Sequence, residues 1–244
     1  MLPIRNHRKG IQMKTKILLL VGAMALTSLP QAVFAEGITG LFISLKVNDV
    51  QAYKQWRNTS RSVFQAHSCV PYRSGKLIGG NGTLEWGDSD RFSLLTCKSP
   101  VLADLVARGF INTLSTLTND LSMTEGSLKL LSNKMPSKNS EYLIKVSHFN
   151  NLNVSNRQSN LAKIDSRARK TRNAWIDDAI LEPKASVGII RPDNLTFLYY
   201  PEVGQGKSFR ENNPELMNEI GRFNQLHVER VTYLAAQIKN GEMK

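Results

Sequence analysis

The chain has 244 residues and a formal net charge of +12 at pH 7, with 32 Lys and Arg against 20 Asp and Glu. This length is sufficient for one large or two small domains with a hydrophobic core. With 4 His and 2 Cys, the sequence offers few ligands for a metal site, and we expect no metal.

The N-terminal segment has the three parts of a cleavable secretory signal. Lys14 and Lys16 precede a short apolar run, Ile17–Leu26. Val33-Phe34-Ala35 follows, with small residues at the positions that signal peptidase recognises. A membrane-spanning helix needs about 20 apolar residues, so this run is too short to cross a bilayer. We predict export to the periplasm or the extracellular space and a mature chain from Glu36; the alternative is an uncleaved anchor.

Cleavage would change the charge of the folded chain. Residues 1–35 contain five basic residues and no acidic ones, so their removal lowers the net charge from +12 to +7. This moderate charge, without aromatic residues among the basic ones, is not typical of a nucleic-acid-binding protein. No later stretch approaches about 18 apolar residues, so we predict no transmembrane segment in the mature chain.

The first half of the mature chain, residues 36–132, predicts the element order βαββαβ. Alternating residues indicate strands, and a 3.6-residue apolar period indicates helices. An Asn-Gly pair at 81–82 is a competing turn signal, so we expect a bulge or kink there. The predicted elements are a strand at 40–47, a helix from Asp49 to His67, strands at 74–86 and 91–97, a helix from Pro100 to Leu121 and a strand at 126–132.

A polar stretch with a proline, residues 133–140, has the composition of a linker. The second half, residues 141–244, repeats the order as βαββα, without a final strand. Its predicted elements are a strand at 141–149, a helix at 155–180, strands at 185–191 and 195–200, and a helix from Pro214 to Lys239.

A βαββαβ unit is the ferredoxin-like arrangement, in which two helices cover one face of an antiparallel sheet. Over residues 37 to about 240, the chain resembles the dimeric α+β barrel superfamily, which includes antibiotic-biosynthesis monooxygenases. The resemblance rests on element order and strand pattern. It implies an α+β fold in which two ferredoxin-like repeats, fused in tandem, pack their sheets face to face as a pseudo-dimeric α+β barrel.

Cys69 and Cys97 are the two cysteines of the chain. An even pair in an exported protein predicts a disulfide, and the alternative is two buried free thiols. In the resembled topology, the first helix and the third strand end at the same edge of the sheet. Cys69 follows that helix and Cys97 closes that strand, so the topology brings them together.

Alternation also predicts which residues face the barrel interior. If Leu41 and Ile43 lie under the helices, Lys46 points inward, and by the same argument Lys145 points inward from the matching strand. Both lysines are therefore candidates for binding an anionic ligand in a partly apolar cavity. The alternative is that they lie at the barrel mouth and extend into water.

The resemblance also suggests a haem site, because haem-degrading members of the superfamily use an Asn on the first strand, a Trp on the third strand and a His on the second helix. The first half has Asn48 and Trp86 but no histidine on its second helix. The second half has Asn150 and His227, whereas its third strand carries Leu198, Tyr199 and Tyr200. Neither half has all three residues, so we expect no cofactor; His227 is a candidate ligand-binding residue or a hydrogen-bonded core histidine.

Two positively charged features complete the candidate sites. The segment GQGKSFRENNP carries Lys207 and Arg210 into a helix N-terminus, where free amides favour anions; the alternative is a flexible surface loop. Lys163, Arg167 and Lys170 recur at helical spacing and predict a basic face opposite the apolar one. Such a face could bind anionic lipid or an acidic partner, or simply keep the protein soluble.

Three functions are consistent with this sequence. The first is an exported binding or interaction protein without enzymatic activity, a monomer with an internal pseudo-dimer that takes a small anionic or apolar ligand. The second is a cofactor-free monooxygenase-like enzyme acting in the barrel cavity. The third is a secreted factor that binds anionic membranes or a host partner through the basic helix. Nucleophile, zinc-binding and phosphate-loop motifs are absent from the sequence.

Overall fold

Runs of alternating apolar and polar residues form the strands of this protein, and the strands close into one antiparallel barrel. The computed structural model describes residues 38–238 except 84, 85, 87 and 153, so the predicted signal segment and cleavage site lie outside the described residues. The strands and helices are β1 (Thr39–Val47), α1 (Val50–Ala66), β2 (Val70–Gly82), β3 (Arg91–Cys97), α2 (Leu102–Ala107), α3 (Phe110–Leu117), β4 (Thr118–Leu130), β5 (Glu141–Phe149), α4 (Val154–Lys170), β6 (Ile176–Val187), β7 (Asn194–Tyr200), α5 (Gln205–Asn212), α6 (Pro214–His227) and β8 (Val228–Ile238).

The barrel has the strand order β1-β3-β2-β8-β5-β7-β6-β4, and β4 pairs back with β1. Two junctions join the halves of the chain: β2 pairs with β8, and β4 pairs with β6. The predicted fold class is therefore wrong, because we expected two ferredoxin-like repeats packing their sheets face to face as a pseudo-dimeric barrel, whereas all eight strands form one closed antiparallel barrel. Closure pairs the N–H and C=O groups that separate sheets would leave exposed at their edges. The predicted linker lies in the irregular segment between β4 and β5.

The long helices predicted for the second half are both too long. The first ends at Lys170 and is followed by β6, and the second ends at His227 and continues directly as β8. In β8, Leu234, Ala236 and Ile238 are buried at every second position. Leu234 and Ile238 also fit a helical period, which is why the apolar pattern alone misassigned this strand.

The second predicted helix of the first half is also interrupted. Gly109 has a positive φ of 72°, and this left-handed residue separates α2 from α3. β4 then begins at Thr118, inside the predicted helix. The start of α1 agrees with the prediction, because the Asp49 side chain accepts hydrogen bonds from the N–H groups of Gln51 and Ala52.

The barrel interior is filled by side chains from strands on all sides. Phe42 is fully buried, and its ring centroid lies 5.9 Å from that of Trp86, 6.1 Å from that of Phe92 and 5.6 Å from that of Phe197. Outside the barrel, residues of alternate parity pack under the helices, with Leu41 and Ile43 beneath α1, α2 and α3. This part of the alternation prediction is confirmed for β1.

One end of the barrel, where β1 begins at Thr39, is closed by a buried ion pair. The Arg73 guanidinium donates to both carboxylate oxygens of Asp178, at 2.8 and 2.7 Å. The hydroxyls of Tyr142 and Tyr72 donate to the same carboxylate at 2.6 and 2.9 Å. Asp178 is 0% exposed and Arg73 is 6% exposed. We call this the sealed end, and the opposite end, where β1 ends at Val47, the mouth.

The predicted disulfide between Cys69 and Cys97 is confirmed. It joins the segment after α1 to the last residue of β3, and the backbone N–H of Lys98 donates to the carbonyl of His67 beside it. The His67 ring bridges Ser99, 2.8 Å away, and Asp104, 3.0 Å away, so side chains reinforce the same junction. The pKa of Asp104 is lowered because its carboxylate hydrogen-bonds to His67.

We predict that replacing both cysteines with alanine lowers the free energy of unfolding by about 3 kcal/mol, because the bridge closes a loop in the unfolded chain. Denaturant titration of the wild type and the double variant, without added oxidant or reductant, measures this difference. Equal denaturation midpoints for the wild type with and without dithiothreitol would contradict it.

We predict that Asp178→Asn destabilises the protein by about 3–5 kcal/mol, because it leaves the buried Arg73 charge without its counter-ion. The double variant Arg73→Met/Asp178→Leu should recover part of the loss, since it removes both charges but leaves the Tyr142 hydroxyl without that acceptor. Glu211→Gln, which breaks an exposed pair with Lys207, is the matched control and should change stability by less than about 0.5 kcal/mol. A loss for Asp178→Asn no greater than that of the control would refute the assignment.

Candidate ligand-binding cleft at the barrel mouth

A cleft of about 480 Å³ opens at the mouth between β2, β8 and the segment that connects β2 to β3. Its lining combines an indole, aliphatic side chains, exposed glycine backbone and charged groups of both signs. The described residues that line it are Lys46, Leu77, Ile78, Gly79, Gly80, Asn81, Gly82, Trp86, Asp88, Ser89, Asp90, Thr232 and Leu234.

Trp86 is held in place from within the barrel. Its indole N–H donates to the Ser44 hydroxyl at 3.0 Å, and that hydroxyl lies 2.9 Å from the hydroxyl of Ser122. Both serines are buried, and Trp86 itself is 7% exposed. The indole therefore has one fixed orientation, with its polar atom satisfied inside and part of its ring available to the cleft.

Glycines of β2 let this strand approach β8 closely. A Cβ added at Gly82 would lie 2.1 Å from the carbonyl oxygen of Val231, which no side chain could tolerate. At Gly79 an added Cβ would meet nothing within 4 Å, so bare backbone faces open space there. The register shifts between Leu77 and Gly79, so the kink lies a few residues before the predicted Asn81-Gly82 position.

Lys46 lies at the edge of the cleft and donates to Asp88 at 2.7 Å. This hydrogen bond and the charge of Asp88 raise the pKa of Lys46, and the same hydrogen bond and the charge of Lys46 lower the pKa of Asp88. Both groups therefore stay ionised near neutral pH. Lys46 can attract an anion, but it cannot accept a proton there. Of the two lysines predicted to face the interior, Lys46 is the one that lines a cleft.

The Lys145 side chain does not face the barrel interior, so the prediction that it points inward is wrong. In β5 the interior residues are Tyr142, Ile144 and Val146, so the parity is opposite to the predicted one. Lys145 points under α6 instead, where it donates to the side-chain oxygen of Asn224 at 3.2 Å and lies 5.7 Å from the Phe223 ring centroid. Burial lowers the pKa of Lys145 to about 8.

His227 is the last residue of α6 and is 1% exposed. Its Nε2 lies 3.0 Å from the side-chain nitrogen of Asn160, and its ring centroid lies 4.9 Å from that of Phe223. It is thus a core histidine packed between α4 and α6, and it does not line the mouth cleft.

The residues of the haem-degrading pattern are not assembled in either half. In the first half, Asn48 is bonded to Asn119 at the surface, while the Trp86 indole is fixed on Ser44. In the second half, Asn150 bonds to backbone oxygens of α6, and Tyr199 lies in the barrel interior in place of a tryptophan. The described residues therefore do not fit this mode of haem binding.

The amides of the predicted anion site already have an acceptor in the chain. The N–H groups of Gly204 and Gly206 donate to the two carboxylate oxygens of Glu141, at 2.7 and 2.9 Å. A Cβ at Gly206 would lie 2.7 Å from that carboxylate, so the glycine is required for the contact. Lys207 and Arg210 lie on α5 beyond these amides, and binding of an external anion by them stays a prediction.

The basic face of α4 is partly neutralised. Arg167 donates to Glu219 and, at 3.3 Å, to Glu215, both on α6. Lys163 lines a groove of about 650 Å³ between α4 and α6, and Lys170 is exposed at the end of α4. Partner or lipid binding through this face stays a prediction.

Sequence reasoning missed two features of the polar network. The helix predicted at 155–180 includes Asp178, but this residue lies on β6 at a register shift and is fully buried against Arg73. Glu125 accepts hydrogen bonds from the N–H groups of Val101 and Leu102, and so caps α2 from β4. Neither pairing has a local sequence signal, because the partners are distant in sequence.

Comparison of the sequence with protein-family models and with curated proteins found no match. Solved structures are similar in fold. An anthrone oxidase-like protein matches with a TM-score of 0.51 and 10% identity, covering 83% of this chain and 91% of that chain. A chlorite-dismutase-like protein matches with a TM-score of 0.51 and 10% identity, and the match covers 83% of this chain and 95% of that chain. The chlorite dismutase of Candidatus Nitrospira defluvii in complex with imidazole has a TM-score of 0.47 and 12% identity, covering 84% and 92%.

The two structures with a TM-score of 0.51, an anthrone oxidase-like and a chlorite-dismutase-like protein, share their fold with this chain, and membership of the dimeric α+β barrel superfamily stays a prediction. At these identities the likeness shows the fold alone, and a tandem fusion of two subunits stays a prediction. Within residues 38–238, as far as they are described, no three His, Cys, Asp or Glu side chains gather as metal ligands. Helices of the described part are all too short or too polar to span a membrane.

We predict that Lys145→Met increases the free energy of unfolding by about 1–3 kcal/mol at pH 7. The folded-state pKa of about 8 lies below the ordinary value of 10.5, so the cost of the buried charge is fully present below pH 8. It should disappear as the pH rises towards 10.5. Urea titrations of both proteins across this range measure the difference. Lys163→Met, on the exposed face of α4, is the control. If the stability gained by Lys145→Met did not decrease as the pH rises, the buried charge of Lys145 would not be its cause.

Proposed function

We propose that this protein is an exported binding protein that takes a small ligand with an aromatic or aliphatic body and an anionic group in the mouth cleft. The pairing of the Trp86 ring with the cationic Lys46 in one cleft carries this proposal. A flat apolar surface beside a fixed positive charge is complementary to an amphipathic anion. Export rests on the predicted signal segment.

Binding is favoured over catalysis by the protonation state of the cleft. Oxidation by dioxygen without a cofactor requires a base that removes a proton from the substrate. Lys46 is held as a cation by Asp88, and the lowered pKa of Asp88 makes that carboxylate a weak base. The interior beyond the cleft is occupied by Phe42 and its neighbours, so a substrate would have to react at the mouth.

The aromatic sulfonate 8-anilinonaphthalene-1-sulfonate is a suitable probe, since its fluorescence rises at apolar sites. We expect Trp86→Phe and Lys46→Met each to weaken its binding about tenfold, equivalent to about 1.4 kcal/mol. Trp175→Phe and Lys170→Met are matched controls outside the cleft and should leave the dissociation constant unchanged. Binding of the probe with the same affinity to all five proteins would refute the proposal.

A second candidate is a cofactor-free monooxygenase-like enzyme at the same cleft. The fold neighbour named as anthrone oxidase-like favours it, at the level of fold. In such a reaction one atom of dioxygen enters the substrate ring as a carbonyl and the other leaves as water, with the substrate as reductant. Incubation of purified protein with anthrone in air, followed by measurement of anthraquinone, tests this function. A rate equal to that without protein would reject it, and a rate abolished by Trp86→Phe would support it over binding alone.

A further inference from the structure

His148 and Arg230 are opposite each other on β5 and β8 at the mouth. His148 is 7% exposed, and neither its Nε2 nor the Nε of Arg230 has a hydrogen-bond partner among the described residues, although both atoms are buried. A buried polar atom without a partner costs free energy, so native proteins supply one in the form of water, an ion or a ligand. The described residues therefore leave hydrogen-bonding capacity unused on both nitrogen atoms at the mouth; a third such atom, His227 Nδ1, lies between α4 and α6 away from the cleft.

Both residues have the parity of the barrel interior. On β5, Ile144 and Val146 face inward, and His148 follows at the next inward position. On β8, Thr232 and Leu234 line the mouth cleft, and Arg230 precedes them at the same parity. The pair therefore lies one step nearer the rim than residues that already line the cleft.

The charged groups that act on His148 lie on β8 and just before β7, the two strands packed against β5. Burial and the charge of Arg230 lower the pKa of His148, whereas Asp193, before β7, and Glu229, on β8, act to raise it. The Asp193 carboxylate accepts the backbone N–H of Phe149 at 2.7 Å, and Glu229 lies 4.0 Å from the Nε of Arg230. Neither acid makes a hydrogen bond to the two orphaned atoms.

We infer that His148 and Arg230 form an anion subsite at the rim of the mouth cleft, which takes the carboxylate, phosphate or sulfate group of the ligand. This inference rests on the proposed function and gives the cleft a second anion-binding position besides Lys46. The planar guanidinium pairs two N–H donors with two oxygens of an oxyanion. The neutral imidazole donates a third hydrogen bond from Nε2. A cationic group is disfavoured because Arg230 would repel it.

The test uses sulfate as the probe, because it is an oxyanion whose charge does not change over the titration range of histidine. NMR titration of the imidazole signals, in sodium sulfate and in sodium chloride at equal ionic strength, measures each histidine separately. We expect sulfate to raise the pKa of His148 by about half a unit to one unit, since a bound anion favours the protonated ring. His67 should show no difference and serves as the internal control.

Arg230→Gln should abolish the sulfate effect on His148, whereas Arg222→Gln, an exposed residue on α6, should leave it intact. The comparison of sulfate with chloride in the wild type tests the subsite without any variant, so the test remains possible if a variant fails to fold. Equal responses of His148 and His67, or an effect that survives Arg230→Gln, would overturn the subsite.

The two proposals fail separately. A sulfate effect at His148 in a protein that does not bind the anilinonaphthalene probe would support the subsite and reject the larger apolar site. Probe binding that requires Trp86, with no sulfate effect at His148, would support the cleft and overturn the subsite.

Discussion

Closure of the barrel is the constraint on which the other features depend. The β2–β8 and β4–β6 pairings give each of the eight strands between residues 38 and 238 two neighbours, so none of these strands presents a free edge. A closed sheet of eight strands encloses a space that side chains can just fill, and here the rings around Phe42 fill its middle. The helices can then cover only the outside, which explains why Lys145, of outward parity, lies beneath α6 and away from the interior.

Because apolar side chains fill the middle of the barrel, polar groups gather at its two ends. The two ends differ in how these polar groups are hydrogen-bonded. At the sealed end every buried charge has a partner: Asp178 receives four hydrogen bonds from Arg73, Tyr72 and Tyr142. Such a network is fully satisfied, and it ties β2, β5 and β6 to one another. It stabilises a unique arrangement and offers nothing to a ligand.

The sequence predicted most strands, the capped start of α1 and the disulfide, because these depend on alternation, on Asp49 and on an even cysteine pair. It could not predict closure, since the residues that join the halves, such as Gly75 and Ile238, carry no mark of their partners. The parity of β5 was assigned wrongly because both of its faces carry apolar residues, so alternation alone does not indicate which face lies under the helices. Of the cleft, Lys46 was predicted, whereas the role of Trp86 depends on Ser44 and Ser122 meeting across two strands.

The mouth differs from the sealed end in its hydrogen bonding and in its composition. Ser44, Ser122 and Trp86 satisfy one another there, so the polar groups on the β1 and β4 side need no ligand. On the opposite side, His148 and Arg230 each have a buried nitrogen atom without a hydrogen-bond partner in the described part of the chain. His227 Nδ1, in the core between α4 and α6, is a third buried atom without a partner among the described residues, so an unpaired nitrogen alone does not indicate a ligand. At the mouth two such atoms lie opposite each other on β5 and β8, and the cleft beside them gives an external acceptor a route to both.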